Sequence, residues 1–181
     1  MNAIDLPLKS DAMLPDQREV LDYWSSLKSM AALPARGDFK PGRLQKRLPY
    51  ISLVDVSADA ARFRFRLAGT GLRDALGVEL TGRSLDQIPL GHQHDLWASI
   101  YRDVARSGRP ASGFTTLAWL GRPNIVQAWL RLPMTGGSEG CVTTILGYDR
   151  FIPVERKTLR DIAMERPAPA AALRAGAVAA Q

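Results

Sequence analysis

FRFRLAGTGLRDALGVELTGRSLDQI, running from Phe63 to Ile88, decides the fold. It opens as a strand: Phe63, Phe65 and Leu67 alternate with Arg62, Arg64 and Arg66, the two-residue period of a sheet with one buried face. The period then changes. Ala68-Gly69-Thr70-Gly71 interrupts the strand, Leu72, Ala75 and Leu76 recur at helical spacing, and Gly77 ends that helix where a left-handed residue is least strained. Thr81-Gly82-Arg83-Ser84 supplies turn chemistry, Ser84 is placed to cap a second short helical turn, and Leu85 and Ile88 point that turn inward.

Upstream of this stretch, Ile51 to Val56 reads as a first strand and Ser57-Ala58-Asp59-Ala60 as the turn between the two. Pro41-Gly42 to Leu48 is a short helical connector with Leu44 and Leu48 inward and Arg43, Lys46 and Arg47 outward, terminated by Pro49. Before it, Asp16 is placed to cap a helix whose Val20, Trp24, Leu27 and Ala31 form one apolar stripe, with Pro34 as its end. A helix of this length is marginal alone, so the stripe must be buried either on the domain's own sheet or on a second copy of the chain. The residues leave both open.

Downstream, GHQHDLWASIYRDVARSGRP from Gly91 is the best helix in the chain: Leu96, Ile100 and Val104 recur every four residues, and Trp97 and Tyr101 widen the apolar face. Three strand-like runs follow, Ala111 to Leu120, Ile125 to Met134 and Cys141 to Tyr148, separated by GRPN and TGGSEG turns. Consecutive hairpins imply antiparallel pairing. The long helical excursion between the second and third strands lets the first and last strands meet at the middle of one sheet. After Tyr148, DRFIPVERKTLRDIAMER reads as another short amphipathic helix with Val154, Leu159 and Ile162 inward. The Ala-rich stretch from Pro167 to Gln181 lacks the apolar residues to fold.

A strand, a short helix, a glycine and then the pattern G-x-x-L-x-G-x-S-L, carried by Gly77, Leu80, Gly82, Ser84 and Leu85, closely resembles the core of a PAS domain. Tyr23-Trp24, LPARGDFKP from Leu33, LPYISLVDV from Leu48 and FRFRLAGTGL from Phe63 are in turn similar to the stand-alone PAS-like family of alphaproteobacteria. The resemblance rests on several motifs in the right order. It implies an α+β chain with the PAS fold: a five-stranded antiparallel sheet in the order 2-1-5-4-3, small helices and one longer helix on one face, and an extra N-terminal helix. On this reading residues 1–15 are a flexible arm, 16–40 a flanking helix and linker, 41–150 the PAS domain, 151–166 a C-terminal helix and 167–181 a disordered tail. One departure stands out. Many PAS domains have an asparagine where the first small helix begins, and this chain has Thr70-Gly71.

Composition sets the outer bounds. A chain of 181 residues with 46% hydrophobic and 23% charged residues fits one soluble globular domain plus its ends. Its single cysteine, Cys141, allows no internal disulfide and no thiolate cluster for zinc, which points to a reducing cytoplasm, and it reads as a small core residue on the last strand. The first residues are unlike a signal peptide, and no run approaches the roughly 18 uninterrupted apolar residues of a spanning helix. A net charge of +6 raises the question of nucleic acid. The arginines are scattered through strands and loops without a basic run or stripe, so solvated faces are the better reading, with neither nucleic acid nor membrane insertion implied.

Catalysis fares poorly on the same inspection. No Ser-His-Asp spacing, glycine-rich phosphate loop or HExxH pattern accompanies the two histidines, His92 and His94. Resemblance raises cofactors separately, because PAS domains hold haem, flavin or small acids. His92 and His94 are the only haem-ligand candidates and lie slightly early for the helix that carries the axial histidine in haem-binding members. The flavin-photosensor cysteine motif is missing from SLDQIPLGHQ. No metal site is expected, and no cofactor is required.

What remains is an apolar space between helices and sheet, with Phe65, Leu76, Ile88, Trp97, Tyr101, Phe114 and Leu130 as candidates for its wall, unless these side chains simply close-pack. Trp97 and Tyr101 carry the only polar handles expected to point inward, and no convergent polar cluster is evident. Val20, Trp24, Leu27, Trp119 and Trp129 are candidates for a partner or dimer surface. The expected function is a non-catalytic signalling module that acts through protein contacts, with a sensor kinase or the protein itself as partner. The alternative is a true small-molecule or haem sensor whose pocket occupancy moves the flanking helices, and a small enzyme ranks last.

Overall fold

The computed structural model describes residues 13–28, 33–136 and 140–154. Five antiparallel strands form one sheet: β1 Ile51–Val56, β2 Phe63–Ala68, β3 Ala111–Leu117, β4 Arg122–Thr135 and β5 Val142–Pro153, in the order β2-β1-β5-β4-β3. The helical excursion between β2 and β3 contains α2, Thr70–Leu76, and α3, His94–Ser107, with short 3-10 turns at Leu85–Gln87 and Gly91–Gln93. Helix α1, Pro15–Ser26, precedes a long 3-10 segment at Pro41–Tyr50. This is the PAS fold expected from the motifs, with first and last strands paired at the centre.

Alternation along each strand divides the interior in two. Ile51, Leu53, Leu130, Leu132, Met134, Leu146 and Tyr148 face α1 and pack with Val20, Trp24, Phe39 and Leu44. Val54, Phe63, Phe65, Trp129 and Ile145 face the other way and pack with Leu72, Leu85, Ile88, Trp97, Tyr101 and Val104. The sheet is therefore covered on both faces, and helices on either side need only one apolar stripe. Gly77 ends α2 as the sequence predicts, at φ 72°, and Gly108 ends α3 in the same way at φ 62°.

Several expectations shift in detail. Leu67 does not share a face with Phe63 and Phe65. A bulge lets Leu53 pair with Leu67 and Val54 with Phe65, leaving Arg66 as the extra residue and turning Leu67 to the α1 side, where it is 44% exposed. Helix α1 starts at Pro15, one residue before the expected cap. Pro15 occupies the first turn, and the Gln17 side chain accepts the Leu14 backbone N–H at 3.1 Å in place of a cap from Asp16. The buried line of α3 is Trp97, Tyr101 and Val104, with Leu96 and Ile100 only half-buried beside it.

The strands also differ in length. β5 continues to Pro153 through pairing of Ile125 with Pro153, so residues 151–153 extend the sheet rather than begin a helix. Residues 118–120 form a 3-10 turn instead of the end of β3. Cys141 is exposed just before β5, not a core residue, because the strand begins at Val142. The expected arm before residue 13, Ala31 in the stripe, and the C-terminal helix and tail beyond residue 154 lie outside the described residues.

Candidate functional site

A cavity of about 40 Å³ lies between the sheet and the α2–α3 layer. Its helical side is mostly apolar: Leu72 and Leu76 from α2, Leu80, Leu85, Ile88 and Leu90 from the following turns, and Trp97 and Tyr101 from α3. Phe65 of β2 and Trp119 of the β3–β4 turn complete that wall. The sheet floor is different. It presents Ser52, Gln127, Arg131 and Asp149, each in the strand phase that faces the helices and all less than a tenth exposed.

Arg131 and Asp149 form the centre of this floor. The Arg131 Nη1 and Nη2 donate to Asp149 Oδ2 and Oδ1 at 3.1 and 3.0 Å, and Nη1 also donates to the Leu130 carbonyl at 2.9 Å. Gln127 Nε2 donates to Asp149 Oδ1 at 2.9 Å. Both charged side chains are at most 4% exposed. A buried ion pair is costly unless its lone pairs and protons find partners, and the Leu130 carbonyl and the Gln127 amide supply two of those needed here, to Arg131 Nη1 and Asp149 Oδ1.

Sequence explains why a guanidinium fits here. Ser52, Gly147 and Arg131 lie in one cross-strand row, and Gly147 offers no side chain where Arg131 crosses β5. A Cβ at Gly147 would press into Ser52 Oγ and stand 3.3 Å from Arg131 Nη1. The neighbouring row repeats the device. Gly113 pairs with Trp129, whose ring would meet a Cβ there at 2.5 Å, so the missing side chain lets the indole lie across β3. Trp129 in turn meets Trp97 edge-on, with centroids 5.7 Å apart.

The guanidinium carbon lies 5.0 Å from the Trp97 ring centre, 5.3 Å from that of Tyr101 and 6.0 Å from that of Trp129. The aromatic rings thus hold a charge that the chain supplies itself. Burial alone would push the Arg131 pKa down. Asp149 and then Tyr101 more than reverse this, leaving it above its ordinary value. Burial, with Asp149 adding to it against the opposing pull of Arg131, pushes the Tyr101 hydroxyl up to about 12. At neutral pH the Arg131 guanidinium is therefore charged and the Tyr101 phenol beside it is neutral.

Two polar atoms of this floor have no hydrogen-bond partner: Arg131 Nε and Ser52 Oγ. Each is buried, and each belongs to a residue that lines the cavity. The arrangement can bind a polar group against the sheet and an alkyl group against the leucines.

β5 connects this floor to α1. Asp149 points into the cavity, while its neighbours Tyr148 and Arg150 point to the opposite face and hold the same carboxylate of α1. The Tyr148 hydroxyl donates to Asp16 Oδ2 at 2.9 Å, and Arg150 Nε lies 3.0 Å from that oxygen. Burial, then the bond to Asp16, pushes the Tyr148 hydroxyl up. Further along α1, Trp24 Nε1 donates to the Pro133 carbonyl at 3.0 Å.

Of the wall residues proposed from sequence, the structure brings Phe65, Leu76, Ile88, Trp97 and Tyr101 to the cavity. Leu130 lies on the other face of β4, packed under α1, because the inward phase belongs to Trp129 and Arg131. Phe114 is half-buried and off the lining, since Gly113 and Thr115 take the inward phase of β3. Among the partner-surface candidates, Val20 and Trp24 are buried on the protein's own sheet, at 0% and 2% exposure, with Leu27 beside them. Trp129 is buried near Arg131 and Trp119 lines the cavity, so neither is available on the α1 face. His92 is exposed, and His94 lies 3.5 Å from Asp95; neither lines the cavity, and neither fits the role of an axial haem ligand there.

The sheet's polar floor is what sequence reasoning missed. Trp97 and Tyr101 are not the only inward polar groups. Arg131 between Leu130 and Leu132, and Asp149 next to Tyr148, carried the signal: a charge in the strand phase that also holds Trp129 and Ile145. Among the described residues no group of three or more His, Cys, Asp or Glu side chains could hold a metal ion, and no helix is long and apolar enough to cross a membrane.

A family model described as PAS domain matches residues 13–147. No curated protein matches the chain. Among solved structures, the light-state structure of the blue-light photoreceptor Aureochrome1 LOV is similar at 15% identity, covering 67% of this chain and 94% of that one, with a TM-score of 0.41.

Proposed function

The chain belongs to the PAS domain family, whose members are generally sensory and non-catalytic, and from that premise we propose that it is a sensor in which the state of the cavity controls the docking of α1. The observation that carries this reading is the alternation at Tyr148, Asp149 and Arg150: the middle residue holds Arg131 in the cavity, and the outer two hold Asp16 of α1. A group that draws Arg131 or Asp149 out of its present geometry displaces the strand segment that grips the helix. Sub-ångström shifts of this kind are converted into a change of state because packed interfaces have discrete arrangements.

The output is the surface that α1 covers. Undocking would uncover Leu132, Leu146 and Tyr148, an apolar face suited to a signalling partner such as a sensor kinase or to a second copy of the chain. The narrower kinship with alphaproteobacterial stand-alone PAS-like proteins, and action in the cytoplasm, fit this role.

Amide hydrogen exchange tests the coupling. Asp149→Asn keeps the shape of the side chain and removes the charge that binds Arg131. It is expected to raise exchange in Pro15–Ser26 more than in His94–Ser107. Equal changes in both helices, or an α1 that keeps its protection, would defeat the proposal. Ile88→Phe, which fills the cavity from the helical side, is expected to move the same α1 amides.

A further inference from the structure

Resting on that sensory reading and extending it, we infer that the cavity selects a small uncharged molecule with one hydrogen-bond acceptor, such as a carbonyl oxygen, attached to a short alkyl body.

The argument starts from the two unpartnered atoms. Arg131 Nε carries a proton and can only donate, while Ser52 Oγ can donate or accept. Both are buried in the sheet floor of the same cavity. A buried donor without an acceptor is destabilising, and a ligand acceptor placed between Arg131 Nε and Ser52 Oγ removes that deficit. A carbonyl oxygen, with two lone pairs and no proton, is matched to a donated proton from either.

Charge narrows the class. Asp149 already neutralises Arg131 through a two-bond pair and takes a third bond from Gln127. An added carboxylate would leave a net buried negative charge beside Asp149, and an added ammonium a net positive charge beside Arg131. Either carries a desolvation penalty that no opposite charge in the wall offsets. A neutral carbonyl avoids it.

Size and polarity fix the rest. A volume of about 40 Å³ has room for roughly three or four atoms of water size. Opposite the polar floor, Leu72, Leu80, Leu85 and Ile88 offer hydrocarbon beside the Tyr101 ring, so the part of the ligand that meets these leucines is alkyl.

Propan-2-one, acetate and isopropylammonium have nearly the same shape and differ in charge. Titrated into the wild-type protein and followed by nitrogen-edited NMR, propan-2-one is expected to give a saturable shift of the Arg131 Nε–H signal in the millimolar range, with acetate and isopropylammonium giving none there. Ser52→Ala is expected to weaken propan-2-one binding about tenfold, the worth of one buried hydrogen bond. Stronger binding of either ion, shifts elsewhere with Arg131 Nε–H unmoved, an undiminished affinity in Ser52→Ala, or no saturable shift from any probe would each overturn the assignment. The last result would mean that the floor is served by water alone. The two proposals fail separately. If Ile88→Phe changes exchange in α1 but propan-2-one does not bind, the ligand class is wrong and the sensor stands. If propan-2-one binds and α1 does not respond, the ligand class stands and the coupling falls.

Discussion

Gly147 lies between Ser52 and Arg131 in one cross-strand row, and its missing side chain is what lets the guanidinium cross β5 to reach Asp149. Gly147→Ala puts a methyl group into Ser52 Oγ and against Arg131 Nη1, and overpacking of this kind is expected to cost about 1–3 kcal/mol in urea unfolding. Ser52→Ala removes the atom in closest conflict. The double variant Ser52→Ala/Gly147→Ala is therefore expected to be more stable than the sum of the single effects predicts, and simple additivity would show that the row is not the constraint.

Arg131→Met leaves Asp149 buried at 2% exposure with only Gln127 beside it, and breaking a buried pair in this way is expected to cost about 3–5 kcal/mol. Replacing both members, as Arg131→Met/Asp149→Leu, removes the stranded charge and is expected to recover most of that loss. Denaturation midpoints of the three variants decide the matter. A double variant no better than Arg131→Met alone would mean that the cost lies in packing against Trp97 and Tyr101 rather than in charge.

Stability at alkaline pH follows from Tyr101. Its hydroxyl titrates at about 12 in the folded chain, against roughly 10 when unfolded. Below pH 10 both states keep the proton, and the full contribution is present. As pH rises from 10 to 12 the unfolded state loses the proton first, so stability falls, by up to about 3 kcal/mol for a shift of this size. Tyr101→Phe is expected to flatten that decline between pH 10 and 12 in urea titrations. Tyr148, shifted in the same direction, leaves a residual slope, and an unchanged curve in Tyr101→Phe would remove Tyr101 from the account.

Asp16 is the single carboxylate through which Tyr148 and Arg150 hold the start of α1. Asp16→Ala is expected to speed amide exchange in Pro15–Ser26 by about tenfold while leaving α3 unchanged, since a hydrogen bond to a charged group is worth about 1.5–3 kcal/mol when buried and less here, where Arg150 is more than a third exposed. Equal acceleration in both helices would place Asp16 in global stability instead of local docking.

The fold was legible in the sequence because its signals are local: the switch from strand to helical period at Ala68, the left-handed stops at Gly77 and Gly108, and the turns between the last three strands. The bulge at Arg66 was not, because an extra residue changes which face Leu67 takes without altering the alternation that can be read from the letters. The helical wall of the cavity was also readable, since Leu76, Ile88, Trp97 and Tyr101 belong to apolar stripes. Its floor depends on register. Asp149 meets Arg131 only because β5 pairs Gly147 with Arg131 and Asp149 with Trp129, and no local pattern states which residues of two strands stand opposite. The same reasoning separates Leu130 from Arg131: adjacent letters, opposite sides of the sheet.

Because the sheet keeps its two apolar layers apart, the molecule carries its own optical labels. Trp24 sits alone in the layer beneath α1, and Trp97, Trp119 and Trp129 belong to the layer around the cavity. With four tryptophans in the whole chain, emission from a Trp24→Phe variant reports one layer, and the difference from the parent protein reports the other. Peeling of the helix and loosening of the ligand side then become separately visible events in an unmodified fluorimeter trace.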